Sequence, residues 1–161
     1  MFLNQTYTSN KIFLDSSILV EYRKGAQTDL LEAIVTNTDF EPLINQVVVS
    51  EYLFYHLAIF SGKSPMSVKS ARQIMQYLSM GDPDGFLSQF GWLNDFSMLY
   101  KKAIYFMETY NLLPNDALII SLCQFHGIKY LASYDRDYTI ACQTEGILLI
   151  ATKAEFDAIA K

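Results

Sequence analysis

The patterned part of the chain opens with KIFLD, a short apolar run without polar alternation, which predicts a buried strand closed by Asp15. SSILVEYRKG follows as a short helix, with Ser16 or Ser17 as its cap and Gly25 at its end. TDLLEAIVTN places Leu30, Leu31, Ile34 and Val35 at helical spacing. EPLIN predicts a brief strand. NQVVVSEYLFYHLAIFSG is too long for an ordinary strand and predicts a helix capped by Gly62. SPMSVKSARQIMQYLSMG, with Ser64 as cap and Pro65 at the first helical position, predicts one helix. After the turn cluster GDPDG, FLSQFGWLN is ambiguous: aromatic-rich like a strand, but broken by Gly91. DFSMLYKKAIYFMETYN and PNDALIISLCQFHG read as helices, IKYLAS as a strand and SYDRDY as a loop. GILLI is a final strand and KAEFDAIAK a terminal helix.

Apolar strands separated by helices imply an α/β fold, three layers with helices on both faces of a central parallel sheet. Ligands of such sheets bind beyond the carboxyl ends of the strands. Asp15 closes the first strand and Asp135 lies just past the fourth, so topology alone sends both to that edge. Asp116 sits in the first turn of a helix, and Glu51 lies within one. No repeat, low-complexity tract or linker interrupts the pattern, so residues 1–161 read as a single domain, with residues 1–10 an N-terminal extension.

Composition narrows the class. The 161 residues are 51% hydrophobic, enough for an ordinary core without staples. The two cysteines, Cys123 and Cys142, fall in apolar stretches with no metal spacing and are expected to be reduced and buried, which fits a cytoplasmic setting. No signal peptide is expected from MFLNQTYTSNKIF, and no run approaches the roughly 20 apolar residues of a membrane helix. A formal charge of −5 argues against a general nucleic-acid coat protein but not against an enzyme touching a few phosphates. His56 reads as a packed histidine in an aromatic helix, and His126 as a helix-end residue. Eleven Tyr and eleven Phe are generous for this length, and fit either a well-filled core or an interface.

Each acid has a bland alternative. Asp15 can cap a helix, Asp116 can complement a helix dipole, and Asp135 with Asp137 can build a turn. Glu51, between Val47–Val49 and Tyr52–Phe54, is expected to need a partner: a cation, or a metal. Gathered in one place, carboxylates repel by about 4 kcal/mol per pair at a separation of about 4 Å and an effective dielectric of about 20. Protons or a cation must offset that. An all-oxygen set without Cys or His selects Mg²⁺ or Mn²⁺, and the chemistry it suits best is phosphodiester hydrolysis.

FLDSSILVEY, VVVSEYLF and NDALIISLCQFHGIKYLASYDRDY, in that order and spacing, resemble the PIN-domain ribonucleases, and more closely the VapC type of toxin in type II toxin–antitoxin pairs. The resemblance runs from about Lys11 to Ile150. It implies a PIN-like fold and a Mg²⁺- or Mn²⁺-dependent endoribonuclease. Asp15, Glu51 and Asp116 match the core metal-binding acids and Asp135 the fourth, with Asp137 as alternative fourth ligand. Ser17 and Ser133 match hydroxyl positions beside the ligands, and Asn115 is placed to orient Asp116 or cap its helix. The resemblance further implies an RNA substrate, a small antitoxin partner whose arginine suits the acidic pocket, and a homodimer; single-stranded or loop RNA is expected, since splayed backbone must reach a small acidic cleft. Tyr138 stands where Phe is common. Two other readings remain: a non-catalytic PIN-like RNA- or protein-binding module, and an interaction domain whose acids are caps and turns. A haloacid-dehalogenase-type phosphatase needs a second aspartate that DSSIL lacks, and a receiver domain needs an acidic pair after the first strand.

Overall fold

The computed structural model describes residues 10–161. The N-terminal extension expected over residues 1–10 lies outside the described residues except for Asn10, which opens the first strand. The chain runs β1 (Asn10–Leu14), α1 (Ser16–Lys24), α2 (Asp29–Thr36), β2 (Phe40–Ile44) and α3 (Gln46–Ser61). It continues through three short helices, α4 (Pro65–Ser70), α5 (Ile74–Leu78) and α6 (Pro83–Leu87), to the two-residue β3 (Gly91–Trp92). The second half is α7 (Leu99–Tyr110), α8 (Pro114–Phe125), β4 (Tyr130–Ala132), α9 (Tyr138–Glu145), β5 (Leu148–Ile150) and α10 (Lys153–Ile159).

The five strands form one sheet in the order β3-β2-β1-β4-β5, every pairing parallel. Ile12, Phe13 and Leu14 are consecutive and all fully buried. Successive strand residues point to opposite faces, so both faces of the sheet are covered by helices. This confirms the expected α/β architecture and explains why KIFL carries no polar alternation. The strand order reverses at β1, between β2 and β4, and Phe13 pairs with Leu43 on one side and Leu131 on the other. That reversal opens a crevice at the carboxyl end of β1 and β4.

Three local expectations are corrected and one ambiguous segment is resolved. The cap of α1 is Asp15 rather than Ser16 or Ser17: its backbone is extended and its side chain accepts the Ser17 N–H. The helix expected over SPMSVKSARQIMQYLSMG is two, separated by a turn in which Arg72 has φ 57°. Val68 is its buried residue in α4, and α5 buries none. Without a continuous apolar face, packing does not sustain a long helix. FLSQFGWLN divides between the end of α6 and the edge strand β3. Helix α9 starts at Tyr138, the last residue of the segment SYDRDY read as a loop, and packs Tyr138, Ala141 and Cys142 inward.

Histidine and cysteine behave as expected. His56 is fully buried, with Nδ1 3.4 Å from the Tyr52 hydroxyl and Nε2 3.2 Å from the Tyr77 carbonyl. Cys123 and Cys142 are free and buried, which pushes both thiol pKa values up. The aromatic helices serve both purposes considered: Tyr52 and Phe106 fill the core, while Phe54, Tyr55, Tyr100 and Tyr105 remain exposed. No helix among the described residues is long and apolar enough to cross a membrane.

Candidate active site

The crevice at the strand-order reversal is a cavity of about 380 Å³. Asp15, Glu51, Asp116 and Asp135 all line it, together with Ser16, Ser17, Val20, Glu21, Lys24, Tyr55 and Leu113.

Asp15 arrives at the end of β1, where its N–H donates to the Ala132 carbonyl of β4 at 2.9 Å and so ties the two central strands together. Its side chain is 4% exposed. Oδ2 accepts the Ser17 hydroxyl at 2.6 Å, the Ser133 hydroxyl at 2.8 Å and the Ser17 N–H at 3.3 Å. These donors favour the ionised form, but burial outweighs them and raises the Asp15 pKa. Ser17 also accepts the Tyr134 N–H at 3.1 Å, and Ser133 accepts the Asp135 N–H at 3.0 Å. The two serines therefore join Asp15 to the start of the acidic loop.

Glu51 sits on α3, which Asn45 starts by accepting the Val48 N–H. Val48, Tyr52 and His56, at successive turns, take the core side. Glu51 and Tyr55, four residues apart, take the cavity side. Glu51 is thus half-buried rather than sunk among its apolar neighbours, and its partners are neither arginine nor lysine. Oε2 accepts the Ser16 hydroxyl at 2.7 Å and Oε1 the Asn115 amide at 2.6 Å. Asn115 accordingly reaches across to Glu51, and the cap position of α8 is taken by Leu113.

Asp116, in the first turn of α8, accepts the Tyr138 hydroxyl at 3.0 Å. Burial pushes its pKa up to about 6, opposed by that hydrogen bond and reinforced by the charges of Asp15, Asp135 and Glu51. The same Tyr138 oxygen lies 3.4 Å from Asp15 Oδ1. Asp135 is exposed at the cavity wall, and its Oδ1 accepts the Asp137 N–H at 2.8 Å. Asp137 itself faces a separate depression with Tyr110, Asn111, Arg136 and Ile140.

The four carboxylates therefore face one space, although among the described residues no three His, Cys, Asp or Glu side chains form a closed ligand set. Their chemistry suits a hard divalent ion: oxygen donors throughout, with burial first and the neighbouring carboxylates second in raising the proton affinity of Asp116. Ser16, Tyr138 and Tyr55 were not foreseen as site residues. Helical spacing offered a signal for the last, since Tyr55 lies one turn beyond Glu51, and Tyr138 closes the acidic loop motif.

Comparison with known proteins agrees with this geometry. Residues 12–143 match the PIN domain family. The chain is 34% identical over 130 residues to Ribonuclease VapC2 of Methanocaldococcus jannaschii, covering 80% of this chain and 87% of that protein. It is 28% identical over 140 residues to Ribonuclease VapC6 of the same organism, covering 80% and 91%. Among solved structures, PAE2754 from Pyrobaculum aerophilum superposes with a TM-score of 0.59 at 12% identity, over 96% of this chain and 99% of that one. VapBC2 from Rickettsia felis, bound to a DNA fragment from its promoter, gives a TM-score of 0.55 at 21% identity, over 87% and 97%. A carboxylate-lined crevice at the sheet reversal, a matching family model over most of the chain and a VapC relative of this identity agree: the chain belongs to the PIN domain family, in its VapC-like branch.

Proposed function

We propose that this protein is a divalent-metal-dependent endoribonuclease that acts as the toxin of a toxin–antitoxin pair. The observation that carries the reading is the convergence of Asp15, Glu51, Asp116 and Asp135 on one cavity at the strand-order reversal. The names of the relatives, both ribonucleases, supply the substrate class.

Asp15, Glu51, Asp116 and Asp135 would hold Mg²⁺ or Mn²⁺, with Asp135 favoured over Asp137 because it faces the shared cavity. When bound, such an ion supplies the positive charge that activates water and stabilises a phosphoryl oxygen during hydrolysis. The chain's own groups prepare the site. Ser17 and Ser133 hold Asp15 in one orientation, and Ser16 and Asn115 hold Glu51 in another. Tyr138 stands between Asp15 and Asp116. Outer partners of this kind fix ligand direction and typically matter by about 10–100-fold.

The antitoxin reading draws on the VapBC neighbour and on charge: an arginine from a partner would pair with several of these carboxylates at once. A second copy of the chain is a further partner to expect, and light scattering of the purified protein measures it.

RNA cleavage is the test. Single-stranded RNA should be cut with Mn²⁺, remain intact with excess chelator, and remain essentially intact with Asp116→Asn. Cleavage that persists through both treatments sinks the mechanism. Absence of any cleavage by the unmodified chain leaves the non-catalytic module as the reading.

A further inference from the structure

The mouth of the acidic cavity carries chemistry that the carboxylates do not use. Of the described residues lining it, five bear carboxylates and Lys24 alone bears an ammonium. Lys24 stands in the last turn of α1, its side chain 45% exposed and its Nζ 2.8 Å from Glu21. An exposed pair of this sort contributes little, so an incoming phosphate displaces Glu21 easily. A polyanion approaching this wall needs a fixed cation, and Lys24 is where the cavity offers one.

Tyr55 adds the second element. It is 48% exposed and lines the same cavity, while Tyr52 and His56 fill the core side of α3. Leu113, 70% exposed before Pro114, forms part of the same lining. Large apolar side chains around an acid-lined cavity have no core to fill, and a flat base is the ligand that suits them. Aromatic faces bind unpaired bases by stacking with little regard to sequence. A volume of about 380 Å³ lies near the lower end of small-ligand pockets, so it takes one splayed nucleotide and no duplex, whose base faces are covered by stacking.

We propose that Lys24 and Tyr55 form a single-nucleotide subsite at the mouth of the cavity, Lys24 binding a backbone phosphate of single-stranded RNA and Tyr55 stacking the adjacent base. This rests on the ribonuclease reading and extends it to how the strand is held. The contact is to backbone and base face, so it positions the strand without reading its sequence.

The experiment is fluorescence anisotropy of a labelled single-stranded oligoribonucleotide, in Mn²⁺ and across a salt series, in an Asp116→Asn background that suppresses turnover. Tyr55→Ala should weaken binding about tenfold at every salt concentration, whereas Tyr55→Phe keeps the parent's affinity. Lys24→Ala should weaken binding and lower the salt slope by about one unit, and Lys24→Arg should restore the slope. Both positions are exposed, so circular dichroism should show all four variants folded. The subsite is overturned if the parent binds no RNA, or if Tyr55→Ala and Lys24→Ala bind as the parent does. The latter result would assign the rim to a protein partner. Failure of the ribonuclease reading appears separately, as absence of Mn²⁺-dependent cleavage by the unmodified chain.

Discussion

The Tyr138 hydroxyl faces two carboxylates, Asp116 at 3.0 Å and Asp15 at 3.4 Å. Its ring is fully buried, so Phe fills the same space and removes the hydroxyl alone. Tyr138→Phe should therefore fold normally and weaken Mn²⁺ binding about tenfold, read by calorimetric titration without any RNA present. Unchanged affinity would show that the hydroxyl merely satisfies itself on whichever acid is near. At this scale the four acids could be picked out from their positions at strand ends and on helices. Their partners could not. Asn115 was adjacent to Asp116 in sequence yet serves Glu51, and Ser16 was a cap candidate yet also serves Glu51. Neighbours in a helix point in directions about 100° apart, so adjacency in sequence says little about which side chains meet.

Among the elements, those with a continuous apolar face were readable and those shaped by their neighbours were not. Helix α3 was readable from its length and from Gly62, and helices α2 and α7 follow their periodicity closely. The segment from α4 to α6 does not, because it is held by specific contacts with α1 and α3. The Arg23 guanidinium lies 4.8 Å from the Phe86 ring centre and 5.7 Å from that of Phe60, and it donates to the Gly81 carbonyl. Gly81 has φ 69°, and a Cβ there would press on the tips of the Phe60 ring and the Arg23 guanidinium. Gly81→Ala puts a Cβ on a left-handed backbone and should lower stability by about 1–2 kcal/mol in urea unfolding. A loss under about 0.5 kcal/mol would mean that this junction shifts freely. Helix α9 escaped the sequence reading because its N-terminus coincides with the acidic loop, and Asp137 there makes no side-chain cap.

For the whole molecule, the acidic cavity is a site where burial, and secondarily the mutual repulsion of the carboxylates, disfavours their ionised forms. Asp116 titrates at about 6 rather than its ordinary 3.8 when no cation is bound. Asp15 is raised in the same sense, with Glu51, Asp135 and Tyr138 facing the pair and Lys24 the nearest ammonium in the lining. The folded chain holds these protons more tightly than the unfolded chain, so stability from this site falls as pH rises from 3.8 to about 6. With chelator present, Asp116→Asn should therefore gain stability relative to wild type between about pH 5 and about pH 7. Mn²⁺ should raise the wild-type Tm more at the higher pH, where the carboxylates have lost their protons, and differential scanning fluorimetry reads both effects. An equal Mn²⁺ shift at both pH values would contradict the shared-site picture.

Sequence alone determined the α/β class and the parallel sheet. Strands such as KIFL, apolar without alternation, can be buried only on both faces, and the intervening helices are long enough to cross over. It also determined that Asp15 and Asp135 lie at the binding edge, since Asp15 directly follows β1 and Asp135 lies in the loop just past β4. Tertiary structure alone decided that Glu51 and Asp116 reach that edge, because the direction of a helix depends on what packs beneath it. It also decided that Asp135 faces the cavity and Asp137 turns away, a difference of two residues that depends on how the loop enters α9. Lys24 and Tyr55 came to the mouth in the same way, placed there by the packing of α1 against α3.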